Sequence, residues 1–275
     1  MKMTKATSRV LTLTRSIYKR TSSCYAGVLT DNRGGKVKGY ADRFEKITLF
    51  PGRTEQAARQ GAASRNLRRP DKPWLDGCPY LWFVNDMGDA LSSAVPFDFL
   101  KEEIVDVAAS VDGQHSIWLW LTKRPRRMAE FCRWLEARGG TWPRNLVPMT
   151  SVIDRRMATQ VKYLREIPAA VRGLSVEPLW EPVQLDLDGI SWVIVGGESG
   201  PLSRPFDLAW ARDLREQCCA AGVPFFVKQL GSNPISNGQP FKLADKHGGG
   251  WDEWPEDLRV REVPPTFLAR KGKGG

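Results

Sequence analysis

Polar side chains gather at six points along the 275 residues, and each group closes a short apolar run. Asn85 and Asp86 follow Tyr80–Val84, and Lys123 and Arg124 follow the run 117–121. Thr150 and Ser151 follow 146–149, Ser175 and Glu177 end the run 171–174, Gly196-Gly197-Glu198-Ser199 follow 192–195, and Lys228-Gln229 close 223–227. Three carboxylates in this set, Asp86, Glu177 and Glu198, are the candidate catalytic groups. Glu177 and Glu198 form an acid/base pair if burial raises one of them; alternatively either one pairs with Lys123, Arg204 or Lys228.

The remaining clusters suggest ligand contacts. Lys123 and Arg124 precede Pro125, which suits a first helical turn, so amides and cations there would meet a phosphate or carboxylate. Gly196 and Gly197 permit close backbone approach, and Glu198 beside Ser199 offers acceptors to an amine or a hydroxyl pair. Asn85, Asp86 and Asp89 suit a divalent ion, a ribose or an exocyclic amine, unless Asp86 only caps the segment leading to Pro96-Phe97. Ser175, Lys228 and Gln229 would face the same opening.

Such groups can act together only if the chain gathers them. Short continuous apolar runs bounded by turn residues read as strands buried on both faces, as parallel strands are. Helices are predicted at about 97–110, 124–137, 154–166 and 206–221, the last between Asp207 and Gly222 as a cap pair. Strands alternating with helices imply right-handed crossovers and a parallel sheet. In such sheets the carboxyl ends of the strands open on one face, where sites are built. Residues 1–72 read as a basic, irregular segment, 73–231 as the core, and 232–275 as a loop-rich extension. Within the first segment, 53–69 is Ala- and Arg-rich, either a solvated helix weakened by Gly61 or a mobile basic stretch. Trp82, Trp118, Trp120 and Trp192 fall inside strands and are expected in the core. Trp251 and Trp254 are freer to stack on bases.

Several motifs agree in order and spacing with one family. They are Phe83-Val84-Asn85-Asp86-Met87-Gly88-Asp89, Leu121-Thr122-Lys123-Arg124-Pro125, Leu174-Ser175-Val176-Glu177-Pro178-Leu179, residues 193–200, Phe226-Val227-Lys228-Gln229-Leu230-Gly231 and residues 254–261. Over residues 79–263 the chain resembles the phage and prophage family of unknown function that carries a three-cysteine motif and is placed near the radical S-adenosylmethionine enzymes. The resemblance implies an α/β fold, a parallel sheet forming a partial (β/α) barrel, and Trp254 clamping the tail on it. It also implies S-adenosylmethionine as a ligand and three cysteines holding a [4Fe–4S] cluster. Here only Cys24-Tyr25-Ala26 remains of that motif, with Thr21 and Thr14 at the other two positions. Thiolates normally hold such clusters, so none is expected here, and no metal ligand is assigned among the site residues.

The bulk chemistry narrows the class. Five cysteines without framework spacing argue against a disulfide scaffold, and two histidines against a Ser-His-Asp triad or a His-rich metal site. No apolar stretch approaches the ~18 residues of a membrane span, and the N-terminus lacks a signal-peptide pattern, so the cytoplasm of a host cell is expected. A net charge of +10 favours a polyanionic partner, DNA or RNA. The sequence thus points to a base-modifying enzyme, a transferase or a lyase, acting on a nucleic acid or nucleotide. The alternative is a binding protein on the same fold that has lost catalysis.

Overall fold

In the computed structural model, residues 11–12, 25–34, 36, 47–64, 70, 72–75, 77–84 and 88–268 are described. Six strands form one parallel sheet in sequence order: β1 (Tyr80–Val84), β2 (Ser116–Thr122), β3 (Leu146–Ser151), β4 (Gly173–Val176), β5 (Trp192–Gly196) and β6 (Phe225–Gln229). The sheet curls into a half-barrel flanked by helices, the partial barrel expected from the sequence.

Alternate side chains divide between two cores, as the two-residue period of a strand requires. Trp82, Trp118, Trp120, Leu174, Val193 and Val227 face outward and pack under the helices. Ile117, Leu119, Val147, Met149, Ile194 and Phe226 face the concave side. Its floor is plugged at the amino ends of the strands by Leu75, Val263 and Phe267. The four tryptophans expected in the core are buried.

The helices hold the strand ends in place. The segment 97–109 is helical throughout, with a wider turn at Lys101–Asp106. Of the segment 53–69, residues 53–63 form helix α1 (Arg53–Ala63), which is not fully solvated, because Thr54, Ala57, Ala58 and Gly61 are buried; 65–69 lie outside the described residues. A Cβ at Gly61 would strike Ser116 Oγ and Trp82 Nε1, so the small residues are what lets the helix approach the sheet. Helix α2 (Pro125–Glu136) begins with proline, which lacks the amide that a first turn leaves unpaired. The segment expected as a helix at 154–166 splits into Arg155–Ala158, capped by Asp154, and a 3-10 turn at Val161–Glu166. Helix α3 (Leu208–Ala221) has the expected caps: Asp207 accepts from the Ala209 amide, and Gly222 ends it with φ 64°.

The described part of the C-terminal extension consists of loops and short elements, and it packs back on the sheet. Residues 260–262 cover the outer edge of β6, with the Val227 amide donating to the Val260 carbonyl and the Glu262 amide to the Phe225 carbonyl. Arg261 sits 4.4 Å from the Trp74 ring and 4.6 Å from that of Trp251. Burial pushes its guanidinium down to about 10, so it stays charged at neutral pH against ring faces and the Val227 and Lys228 carbonyls. Trp254 is buried, with its indole N–H donating to the Gly248 carbonyl, and so is not available to stack on a base.

Candidate functional site

The six strands run parallel, so their carboxyl ends lie along one edge of the half-barrel, its mouth. After β4 the chain is fastened on both sides: the Leu179 amide donates to the Gly196 carbonyl at 3.1 Å, and the Trp180 amide to the Ile153 carbonyl at 3.1 Å. Glu177 is thereby held on the concave side over Gly196. Its Oε1 accepts from Ser175 Oγ at 3.1 Å and from Lys228 Nζ at 2.8 Å. The Glu177 side chain is 13% exposed and that of Lys228 30%. A carboxylate, an ammonium and a hydroxyl from two strands thus meet on the concave floor.

The glycines after β5 serve this arrangement. A Cβ at Gly196 would collide with Gln229 Oε1 and lie 3.1 Å from Glu177 Oε2. A Cβ at Gly197 would strike the Leu230 carbonyl. Gln229 Nε2 donates to the Gly197 carbonyl at 2.8 Å, and its Oε1 is buried without a hydrogen-bond partner. The close approach expected of these glycines is made by the protein's own groups.

Glu198 points elsewhere. Its carboxylate accepts from the Arg204 amide at 3.1 Å and from the Arg204 guanidinium, which lies 3.9 Å over the Trp180 ring. The amine-holding role expected of Glu198 therefore meets a carboxylate already occupied, and an acid/base pair with Glu177 is replaced by two separate ion pairs. Ser199 is exposed on the following loop.

The anion cradle expected at Thr122-Lys123-Arg124-Pro125 already contains an anion. Asp89 accepts from Thr122 Oγ1 at 2.8 Å, from the Lys123 amide at 3.0 Å, from the Leu91 amide at 3.0 Å and from Arg124 at 2.9 Å. Asp89 was expected among ion or ribose ligands; it ties the loop after β1 to the end of β2 instead. The Arg124 amide donates to Thr122 Oγ1, and the Lys123 side chain is half-buried. Asn85 and Asp86 lie outside the described residues.

The cluster implied by the resemblance is not matched by the described cysteines. Cys132 and Cys218 are buried on α2 and α3 behind the sheet, and burial pushes both thiols up to about 12, away from the thiolate form. Cys219 is exposed on α3, and Cys78 precedes β1 at the far end from the mouth. Among the described residues no three His, Cys, Asp or Glu group together as a metal site. Cys24, Thr14 and Thr21 lie outside them. The described cysteines thus offer no three-thiolate set for a four-iron cluster.

Sequence reasoning missed the apolar half of the mouth. Phe83 and Leu121 belong to the concave face and remain only partly buried. Their odd-numbered positions in two alternating strands were the signal. A surface depression of about 610 Å3 between residues 184–190 and 217–223 lies at the amino ends of β5 and β6, away from these groups.

The charge is unevenly placed along the chain. Residues 1–71 hold sixteen Lys and Arg against five Asp and Glu, a net of +11, and 269–275 add three more cations. Residues 72–268 hold twenty-two against twenty-six, a net of −4. Among the described residues no helix is long and apolar enough to cross a membrane.

The chain belongs to the family described as "Protein of unknown function (DUF5131)", whose profile matches residues 4–255. It is also similar to tRNA pseudouridine synthase D of Stutzerimonas stutzeri (strain A1501), 32% identical over 81 residues, which is 30% of this chain and 23% of that protein. The enzyme of the same name from Pseudomonas aeruginosa (strain LESB58) is 32% identical over 81 residues, 30% of this chain and 22% of that protein. That of Pseudomonas entomophila (strain L48) is 32% identical over 82 residues, 30% and 23%. The chain thus spans less than a quarter of the length of these relatives. No solved structure matches it.

Proposed function

We propose that this protein modifies a base of a nucleic acid, RNA in the first place, within the mouth of the half-barrel. The observation that carries the proposal is the meeting of Ser175, Glu177 and Lys228 on the concave floor. Taking a carboxylate and an ammonium out of water is costly, and hydrophobic packing would serve a core as well or better. Such a pair has its use where a ligand must be held or a proton moved. Glu177 is the proton acceptor, Lys228 steadies its charge, and Ser175 fixes the carboxylate's orientation.

The uneven charge supports the same reading. A strongly basic segment, 1–72, would hold the phosphate backbone, while the acidic barrel, 73–231, would select the base; residues 232–275 would brace it. Phosphate contacts position a nucleic acid, whereas contacts to the bases specify it. The local similarity to enzymes named for tRNA modification makes RNA the first substrate to test. Phage-type, radical-SAM-like descent is proposed for the scaffold and not for the chemistry, and the host cytoplasm is the proposed setting.

A second reading is favoured by the ion pairs at Asp89, Glu177 and Glu198, each neutralised within the protein. On that reading the chain binds nucleic acid and catalyses nothing. Nucleoside mass spectrometry of RNA from cells producing the chain separates the two. A modified nucleoside present with wild type and missing with Glu177→Gln supports the enzyme. Identical nucleoside profiles with tight RNA binding support the binder.

A further inference from the structure

Resting on the nucleic-acid reading above, we infer that the mouth takes one nucleobase drawn out of its stack, and that Leu202 is the wedge that fills the vacated place. The concave floor is divided at this level. On β1 and β2 it is apolar, with Phe83 and Leu121 partly uncovered. On β4 and β6 it is polar, with Ser175, Glu177 and Lys228. Between the halves stands Ser151, opposite Ser175 in register; both are buried, so a ring would lie above them, toward the rim. Leu121 and Ser175 lie two strands apart, roughly 10 Å across the sheet, with Ser175 two residues further along its strand in register. A planar ring laid on Phe83 and Leu121 turns its edge toward Glu177 and Lys228.

The pair presents an acceptor beside a donor. It matches a base edge that carries an N–H next to a carbonyl, as in uracil or guanine. Neither edge is accessible from inside a paired helix, so the base must leave the stack, at a cost of a few kcal/mol. Proteins that unstack bases commonly insert an apolar side chain between them.

Leu202 is placed for that task. It is 69% exposed, at the tip of the loop that leaves β5 at the mouth. The loop around it is held from several sides. Glu198 binds both the amide and the guanidinium of Arg204, and Ser232 Oγ accepts from the Gly200 amide at 2.9 Å. Asn233 Nδ2 donates to the Ser203 carbonyl at 3.2 Å, and the Ser203 amide to the Gly200 carbonyl at 3.2 Å. A single exposed leucine is ordinary on a protein surface. One carried on a braced loop beside a polar pocket can transmit force to a stack without folding back. Val111, 75% exposed, sits on the loop entering β2 at the opposite end of the strands and serves as the control.

The test uses the full chain with two RNAs of one sequence family, a hairpin and a single strand, each carrying 2-aminopurine. Anisotropy reports binding, and 2-aminopurine fluorescence reports unstacking. Wild type and Val111→Ala should both raise hairpin fluorescence several-fold. Leu202→Ala should lose most of that rise while its affinity changes less than threefold and its melting curve is unchanged; Leu202→Phe should restore the rise. Phe83→Ala should weaken binding of free uridine or guanosine monophosphate, whereas Leu202→Ala should not. Hairpin binding with an equal rise for wild type and Leu202→Ala, or with no rise for wild type, overturns the inference alone. Absence of binding to either RNA overturns it together with the nucleic-acid reading.

Discussion

Lys228 Nζ lies 2.8 Å from Glu177 Oε1, joining the end of β6 to the turn after β4 across the intervening strand β5. Gly196, on that intervening strand, has no Cβ to separate them. The pair therefore depends on three adjacent strand ends at once, and each can be perturbed separately.

Removing one partner should reveal how far the pair is structural. Lys228→Met leaves Glu177 with only Ser175 as a donor and should cost about 1–3 kcal/mol. That is a fall of roughly 2–4 °C in Tm per kcal/mol for a chain of this size. Glu177→Gln keeps an oxygen for both donors and should cost about 1 kcal/mol or less. Thermal melts of both variants, followed by an RNA-binding assay, check this. A loss of more than about 4 kcal/mol for Glu177→Gln would mark the residue as a core element rather than a site residue.

The two adjacent glycines should behave differently. Alanine at 196 meets the end of the Gln229 side chain, which can swing aside, and then presses on Glu177. Gly196→Ala should therefore cost about 1–2 kcal/mol in stability but most of the activity. Alanine at 197 meets the Leu230 carbonyl, which is main chain and cannot swing, so Gly197→Ala should cost about 3 kcal/mol or more. Equal melts for the two variants would contradict the packing described for β5.

The buried thiols set an alkaline limit. Burial first, and then the Glu136 and Glu262 carboxylates, push Cys132 and Cys218 respectively from the ordinary 9.0 to about 12. The folded chain then holds these protons more tightly than the unfolded one. That contribution is complete below about pH 9 and is lost as pH rises toward about 12. Stability should fall over this window in denaturant titrations, and less steeply in Cys132→Ala and Cys218→Ala. At pH 8, iodoacetamide should label Cys219 and spare both buried thiols until the chain unfolds.

Binding to RNA should weaken steeply with salt, through the basic segment. Each phosphate contact contributes about 0.7–0.9 to the slope of log K against log salt. Replacing Arg65, Arg68 and Arg69 with Gln should lower that slope by about 2–3 if all three contact phosphate. Replacing Arg133 and Arg165, which already pair with Glu166 and Asp186, should leave it nearly unchanged. Equal effects of the two sets would move the polyanion surface from the N-terminal segment to the barrel.

The scaffold was readable because strands buried on both faces are written as continuous apolar runs. Trp192 to Val195 and Phe225 to Val227 announce themselves, and so do the polar residues that stop them. The partners of those polar residues were not readable. Glu177 had Lys123, Arg204 and Lys228 as equal candidates, and only the order of the strands places Lys228 beside it. Asp89 meets Thr122 thirty-three residues later, a pairing that requires β1 and β2 to be neighbours. Helix α1 misled for another reason: its buried face is built of alanine, threonine and glycine, which carry little hydrophobic signal but allow close packing.

The most direct measurement is photo-crosslinking of the full chain to RNA carrying 4-thiouridine, with the attached peptides identified by mass spectrometry. A base received by the mouth should crosslink to peptides containing Phe83, Leu121, residues 177–180 or Lys228, and these crosslinks should fade in Glu177→Gln. Crosslinks confined to residues 1–71, or to the depression at 184–190 and 217–223, would contradict a base-binding mouth.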